Sequence, residues 1–192
     1  VDALYKLERA GVRVPQPFGC FDGVLLMELV TSEEGEVAPR LNDVVLTREQ
    51  ALEDHAVMMG YVVKMLCAGL VHGDLSEFNV LVDDYGPVII DLPQAVDAAA
   101  NNHAKSMLER DVNNMTAYYG LYAPELLTSR YAEEMWALYE SGDLYPESEL
   151  TGLFEGDEAE ADVDAVLMEI QAAMREEEER LARIQTANEP EV

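Results

Sequence analysis

Apolar residues along this chain switch between helical and strand spacing. Leu4 and Leu7 fall three apart in the opening stretch, 2–10, and Gly11 follows as a stop, which predicts a helix ending there. Residues 12–17 alternate, and Pro15 and Pro17 impose an extended path. Short strands are predicted at 18–20 and 24–28, joined at Asp22-Gly23, a pair that favours a tight hairpin. The segment 31–45 is acidic and carries glycine and proline, so a loop with one short helix is expected. Thr47-Arg48-Glu49-Gln50 has the form of a capping box. Behind it Leu52, Ala56, Met59, Val63 and Leu66 recur at spacings of 4, 3, 4 and 3, one stripe of a helix that Gly69 ends. His55 lies beside the stripe, where a satisfied or exposed histidine is expected rather than a ligand.

Two apolar runs follow, 80–82 and 88–90, separated by Asp83-Asp84-Tyr85-Gly86-Pro87, and together they predict a second hairpin. Further helices are expected over 101–119 and 131–139, with Met115, Tyr118, Tyr119 and Tyr122 as core residues. The stretch 142–160 is a polar, acidic connector. Helical periodicity returns at Ala161, where Val163, Leu167, Ile170, Met174, Leu181 and Ile184 track a heptad seam with Glu177 in one seam position. The clean seam is short, so a helix docking on its own domain or on a partner is expected rather than a coiled coil.

Composition narrows the classes. The chain has 192 residues, of which 49% are hydrophobic, enough for a real core. Its net charge of −27 argues against direct, non-specific binding to nucleic acid or to an anionic membrane. The charge is uneven: 20 acids against 9 bases in residues 1–132, and 19 against 3 in residues 133–192. Cys20 and Cys67 fit no metal-binding or C-x-x-C spacing and read as reduced core residues of a cytoplasmic protein. No signal peptide is visible, and the most apolar helical stretch is interrupted by Lys64 and too short to span a bilayer.

Candidate chemistry concentrates in residues 69–97. Asn79 enters the first strand of the second predicted hairpin and Asp91 leaves the second strand, so the two should converge. Asp74 lies five residues before Asn79 on the loop feeding the hairpin. Mg²⁺ takes hard oxygen ligands, typically one or two carboxylates plus substrate phosphates, and Asn79 and Asp91 supply such oxygens. A carboxylate off the metal must orient the attacking hydroxyl, and Asp74 is placed for that. One D-x-x-x-x-N alone would be noise; here it stands between a helix and a hairpin, with an Asp after a β-branched strand.

His72-Gly73-Asp74-Leu75-Ser76-Glu77-Phe78-Asn79, followed by Val88-Ile89-Ile90-Asp91-Leu92-Pro93-Gln94-Ala95-Val96, resembles the RIO family of atypical serine/threonine protein kinases over about residues 1–140. The resemblance implies an α+β protein kinase-like (RIO) fold, mostly the helical C-terminal lobe with a remnant of the N-terminal lobe. Residues 1–30 would be the end of that lobe and the hinge, 31–141 the C-lobe with the catalytic loop, and 142–192 an acidic connector and C-terminal helix that could bind a partner. The implied cofactors are ATP and Mg²⁺, with Asp74 catalytic and Asn79 and Asp91 on the metal. Met27, Glu28 and Val30 would frame adenine; from the residues alone, a buried strand end reads equally well. Ser76 and Glu77 would lie near the γ-phosphate, with loop capping as the alternative. His72 is expected to pack the loop and bond its backbone. Gly73 replaces the arginine of H-R-D, so phosphorylation of an activation loop is not the expected switch. Pro93 in place of glycine disfavours a backbone flip after Asp91. Tyr122-Ala123-Pro124-Glu125 contains A-P-E but is expected to be a decoy on later helices. An Asp at the start of the next helix, Asp111, is expected to accept hydrogen bonds from the catalytic-loop backbone.

No G-x-G-x-x-G and no strand lysine to pair with the α/β-phosphates is present, and the first residue is not Met. The expectation is an N-terminally truncated chain, poorly active by itself, from a kinase or ATPase that passes phosphate to a protein or to Asp91. Two rivals stand beside it. One is an aminoglycoside-type small-molecule phosphotransferase, whose cationic substrates would suit an acidic surface. The other is a non-catalytic kinase-like scaffold.

Overall fold

Residues 2–154 are described by the computed structural model. The central helix α2 (Arg48–Cys67) begins as its sequence dictates. Thr47 Oγ1 accepts the Gln50 N–H at 3.2 Å, and Gln50 Oε1 accepts the Thr47 N–H at 2.9 Å, completing the capping box. Its buried surface is broader than the predicted stripe. Met59, Val63 and Leu66 are buried, but so are Ala51, His55, Met58 and Val62, while Leu52 is half-buried and Ala56 exposed. The cause is tertiary: α3 (Ala104–Gly120) and α4 (Tyr131–Ser141) pack on α2, and β5 (Gly86–Ile89) meets it as well. His55 is a core residue. Its Nε2 lies 3.0 Å from Thr116 Oγ1, and its ring packs against Tyr119 and Tyr131. Burial holds its pKa down at about 4.

The strands form three antiparallel pairs. β1 (Pro17–Phe21) and β2 (Val24–Met27) meet at Asp22 and Gly23, with φ of 51° and 82°, the double positive φ of a tight hairpin turn. This hairpin exposes Phe18, Phe21, Val24 and Leu26. Cys20 is exposed on it, not the core residue expected, whereas Cys67 is half-buried and packs against the core; both are free thiols. Strands of two residues, β3 (Leu70–Val71) and β6 (Val96–Asp97), pair just after α2 and before α3; they are too short to show alternation in the sequence. The 31–45 segment contains one 3₁₀ turn, Leu41–Asp43.

The hairpin of β4 (Val80–Asp83) and β5 pairs Val80 with Ile89 and Asp83 with Gly86. It is fastened on both sides. Arg13 donates to Asp83 at 2.8 and 2.5 Å and to the Gly86 carbonyl at 3.2 Å, while its own carbonyl accepts the Ile89 N–H at 2.9 Å. On the other edge the Pro39 carbonyl accepts the Val82 N–H at 2.9 Å. The turn is tied to the acidic loop by Tyr85, which donates to Glu33 at 2.7 Å, and by Asp84, which accepts the Glu33 N–H at 2.6 Å. A hairpin held at its turn and edges presents its open end at a defined place.

After α3, residues Pro124–Thr128 form a 3₁₀ helix with Ala123 as its N-cap, so the A-P-E tripeptide opens a helix. α4 ends at Gly142, φ 79°. The chain then folds back: the Glu134 carboxylate accepts the Gly152 N–H at 2.8 Å and the Thr151 hydroxyl at 2.9 Å. Among the described residues no helix is long and apolar enough to cross a membrane. The heptad pattern of 163–184 lies outside the described residues.

Candidate active site

The loop from β3 to β4 carries His72, Asp74 and Asn79. His72 is buried. Its Nδ1 accepts the Asp74 N–H at 3.3 Å and its Nε2 lies 3.0 Å from the Ile90 carbonyl, so the network assigns the ring proton to Nε2. The imidazole thus links the loop to Ile90, the residue between β5 and Asp91, the packing role its position implied.

Asn79 closes a 3₁₀ turn, Glu77–Asn79. Its Nδ2 donates to the Asp74 carbonyl at 2.7 Å and lies 3.4 Å from Asp74 Oδ2. Its carbonyl accepts the Ile90 N–H at 3.0 Å, which extends the β4–β5 ladder by one rung toward Asp91. The loop therefore brings Asn79 against Asp74 on one side and against the residue preceding Asp91 on the other. Asp91 is exposed and has φ of 63°, the left-handed region. Such a conformation costs a non-glycine residue about 1–2 kcal/mol and tends to persist at functional positions.

A cleft of about 380 Å³ adjoins Asp91. Its walls include Leu4 of α1 (Asp2–Arg9), Leu25 and Met27 of β2, and Ile90, Asp91 and Leu92. Met27 and Asp91 thus share one cavity. Met27 is 46% exposed and Val30 only 5%, so the alternative of a uniformly buried strand end does not describe this segment. The Glu28 N–H is bonded to the Gln16 carbonyl at 2.9 Å, and the Val30 carbonyl accepts the Ala38 N–H at 3.0 Å. Among the described residues, the Glu28 carbonyl and the Val30 N–H have no main-chain partner. Ser76 precedes the 3₁₀ turn with no side-chain capping bond, so the capping alternative finds no support there. Glu77 is half-buried.

Asp111 lies in the middle of α3 rather than at its start, and it is buried. Its Oδ2 accepts the Gly73 N–H at 2.7 Å and its Oδ1 the Leu75 N–H at 2.9 Å, the anchoring contact expected of it. Burial pushes its carboxyl above the usual range, and the two N–H donors pull the other way. The sequence reading missed two further contacts to this loop: Arg110 donates to the Gly73 carbonyl and Asn114 to the Leu75 carbonyl. The only signal for them was their spacing around Asp111. Gly73 is more than a missing arginine. Its φ is 84°, and a Cβ there would stand 2.8 Å from the Gln94 carbonyl oxygen.

A helical body that holds a loop Asp beside an Asn, with a second Asp at the open end of a braced hairpin, has the layout of part of a protein kinase-like domain. Residues 1–132 match the RIO domain, and the chain belongs to that family. It is 40% identical over 116 residues to the RIO-type serine/threonine-protein kinase Rio1 of Haloferax volcanii, covering 60% of this chain and 39% of that protein. It is 34% identical to the Rio1 of Thermoplasma acidophilum (60% of this chain, 59% of that one). It is 32% identical to the human serine/threonine-protein kinase RIO1 over 128 residues (66% and 22%). The chain thus spans less than two thirds of each of these relatives' length, from 22% to 59%.

Proposed function

We propose that this chain carries the catalytic loop and metal-binding residues of an ATP- and Mg²⁺-dependent phosphotransferase, acting as a serine/threonine kinase or as an ATPase. The observation that supports this reading is the double engagement of Asn79: its side-chain amide on Asp74 and its main chain on Ile90, one residue from a left-handed Asp91. Because Nδ2 is spent on Asp74, Asn79 keeps its Oδ1 for a cation. With the Asp91 carboxylate this makes a pair of hard oxygens that fits Mg²⁺. When bound, Mg²⁺ neutralises charge on the phosphate oxygens. Asp74, exposed beside that pair, would take the proton of the attacking hydroxyl. The Glu28 carbonyl and Val30 N–H would meet the adenine edge, with Met27 walling the ring. Ser76 and Glu77 would face the phosphates.

Mg-ATP binding tests the reading. A ligand at a hundredfold excess over its Kd stabilises the fold by about 2.7 kcal/mol. The expected result is a thermal shift that needs Mg²⁺ and is lost in Asp91→Asn. No shift at millimolar Mg-ATP would favour the scaffold alternative. ATP turnover stimulated by aminoglycosides and not by a serine-bearing protein would favour the small-molecule phosphotransferase.

A further inference from the structure

We infer that Arg110 and Asn114 are positioning residues for Asp74, an inference that rests on the phosphotransfer reading of that residue. With Asp111 they bind every main-chain polar group of the two residues flanking it. The Gly73 N–H goes to Asp111 Oδ2 at 2.7 Å and the Gly73 carbonyl to Arg110 Nη2. The Leu75 N–H goes to Asp111 Oδ1 at 2.9 Å and the Leu75 carbonyl to Asn114 Nδ2 at 3.1 Å. Asp74 itself donates to His72 Nδ1 and accepts from Asn79 Nδ2. Across residues 73–75, therefore, each peptide donor and acceptor has a protein partner.

An irregular loop of this kind is ordinarily free to rock, because its peptides trade protein partners for water. Here one helix face supplies the partners. Residues 110 and 114 are one turn apart, so they reach the loop on either side of Asp111. Arg110 brings a planar, permanently charged fork to a carbonyl, a contact stronger than a neutral hydrogen bond. With both flanking peptides held and Gly73 turning the chain at positive φ, side-chain rotation is the freedom left to the Asp74 carboxylate. The three clamp residues also divide by burial. Asp111 is buried, so its loss strikes the fold, whereas Arg110 and Asn114 are exposed residues. Each contributes one hydrogen bond from a largely solvent-exposed side chain, so losing it strikes the fold less than losing Asp111. Their loss should therefore register in the loop more than in the fold.

The test uses the full chain with Arg110→Ala, Asn114→Ala and the double variant, Arg110→Lys as the conservative rescue, and Asp74→Asn as the reference. Amide hydrogen exchange over residues 73–75 is expected to quicken by about tenfold in the double variant, with the urea midpoint falling less than in Asp111→Asn. The kcat for ATP turnover is expected to fall between about tenfold and 10²-fold, the scale of a misplaced catalytic group, with KM for Mg-ATP within about twofold of wild type. Arg110→Lys should recover part of the kcat. If the double variant keeps wild-type exchange and kcat while Asp74→Asn lowers turnover, the inference is overturned and the phosphotransfer reading stands. If Asp74→Asn leaves turnover intact, that reading fails and the inference fails with it. Should the wild-type chain turn over no ATP, exchange decides: faster exchange confined to 73–75 supports the clamp, and unchanged exchange refutes it.

Discussion

Replacing Asp111 with asparagine is the most demanding test of how the loop around Asp74 is held. The substitution keeps the side chain's size and removes one acceptor. Both carboxylate oxygens are occupied, by the Gly73 N–H at 2.7 Å and the Leu75 N–H at 2.9 Å. An amide can accept one of these; the other then faces an NH₂, donor against donor. A buried donor without a partner costs about 1–3 kcal/mol, and the variant leaves a main-chain N–H and a side-chain N–H in that position. The gross loss is about 2–6 kcal/mol. Removing a carboxylate whose burial already pushes its pKa upward offsets part of it, leaving a net loss of about 2–4 kcal/mol. That is a large share of the 5–15 kcal/mol typical of a domain. With a urea m-value of about 2 kcal/mol/M, the midpoint should fall by roughly 1–2 M at unchanged m. A loss below about 0.5 kcal/mol would show that the two N–H groups find other partners and that Asp111 anchors nothing.

Three further outcomes are expected. Gly73→Ala should cost at least about 1 kcal/mol more than Gly35→Ala in urea unfolding. Both sites have nearly the same positive φ (84° and 85°), but only at Gly73 does the new Cβ meet backbone, the Gln94 carbonyl. Equal losses would mean that the close approach does not matter. His55 is held neutral by burial down to about pH 4, so between pH 6.5 and 4 the unfolded chain binds a proton that the folded chain does not. Stability must then fall as pH drops through that window, by up to about 3 kcal/mol, and His55→Gln should flatten this part of the curve. Identical pH slopes for the two proteins would sink the assignment. Asp83, held below the usual carboxylate range by the Arg13 guanidinium, should show a coupling of about 1–2 kcal/mol to Arg13 in a double-mutant cycle of Asp83→Asn and Arg13→Gln. A coupling near zero would mean that the hairpin is braced by its backbone alone.

Local chemistry decided what the sequence by itself determined. The Thr47–Gln50 capping box, the positive-φ turn at Asp22-Gly23 and the 80–89 hairpin each depend on residues within a few positions of one another, so they were legible before any packing was known. The candidate site was legible for the same reason: Asp74, Asn79 and Asp91 sit on one loop and one hairpin, and hairpin geometry brings the ends together. The other features required distant surfaces to meet. His55 joined the core because α3 and α4 supplied Thr116, Tyr119 and Tyr131, which no periodicity of α2 encodes. Cys20 and Met27 came to lie on an open hairpin for want of a covering surface among the described residues. The contacts of Arg110 and Asn114 with residues 73 and 75 span 37 and 39 positions of chain. A polar side chain on a helix looks the same in sequence whether it faces water or the backbone of a loop. Only the packing of α3 beneath that loop decides between them.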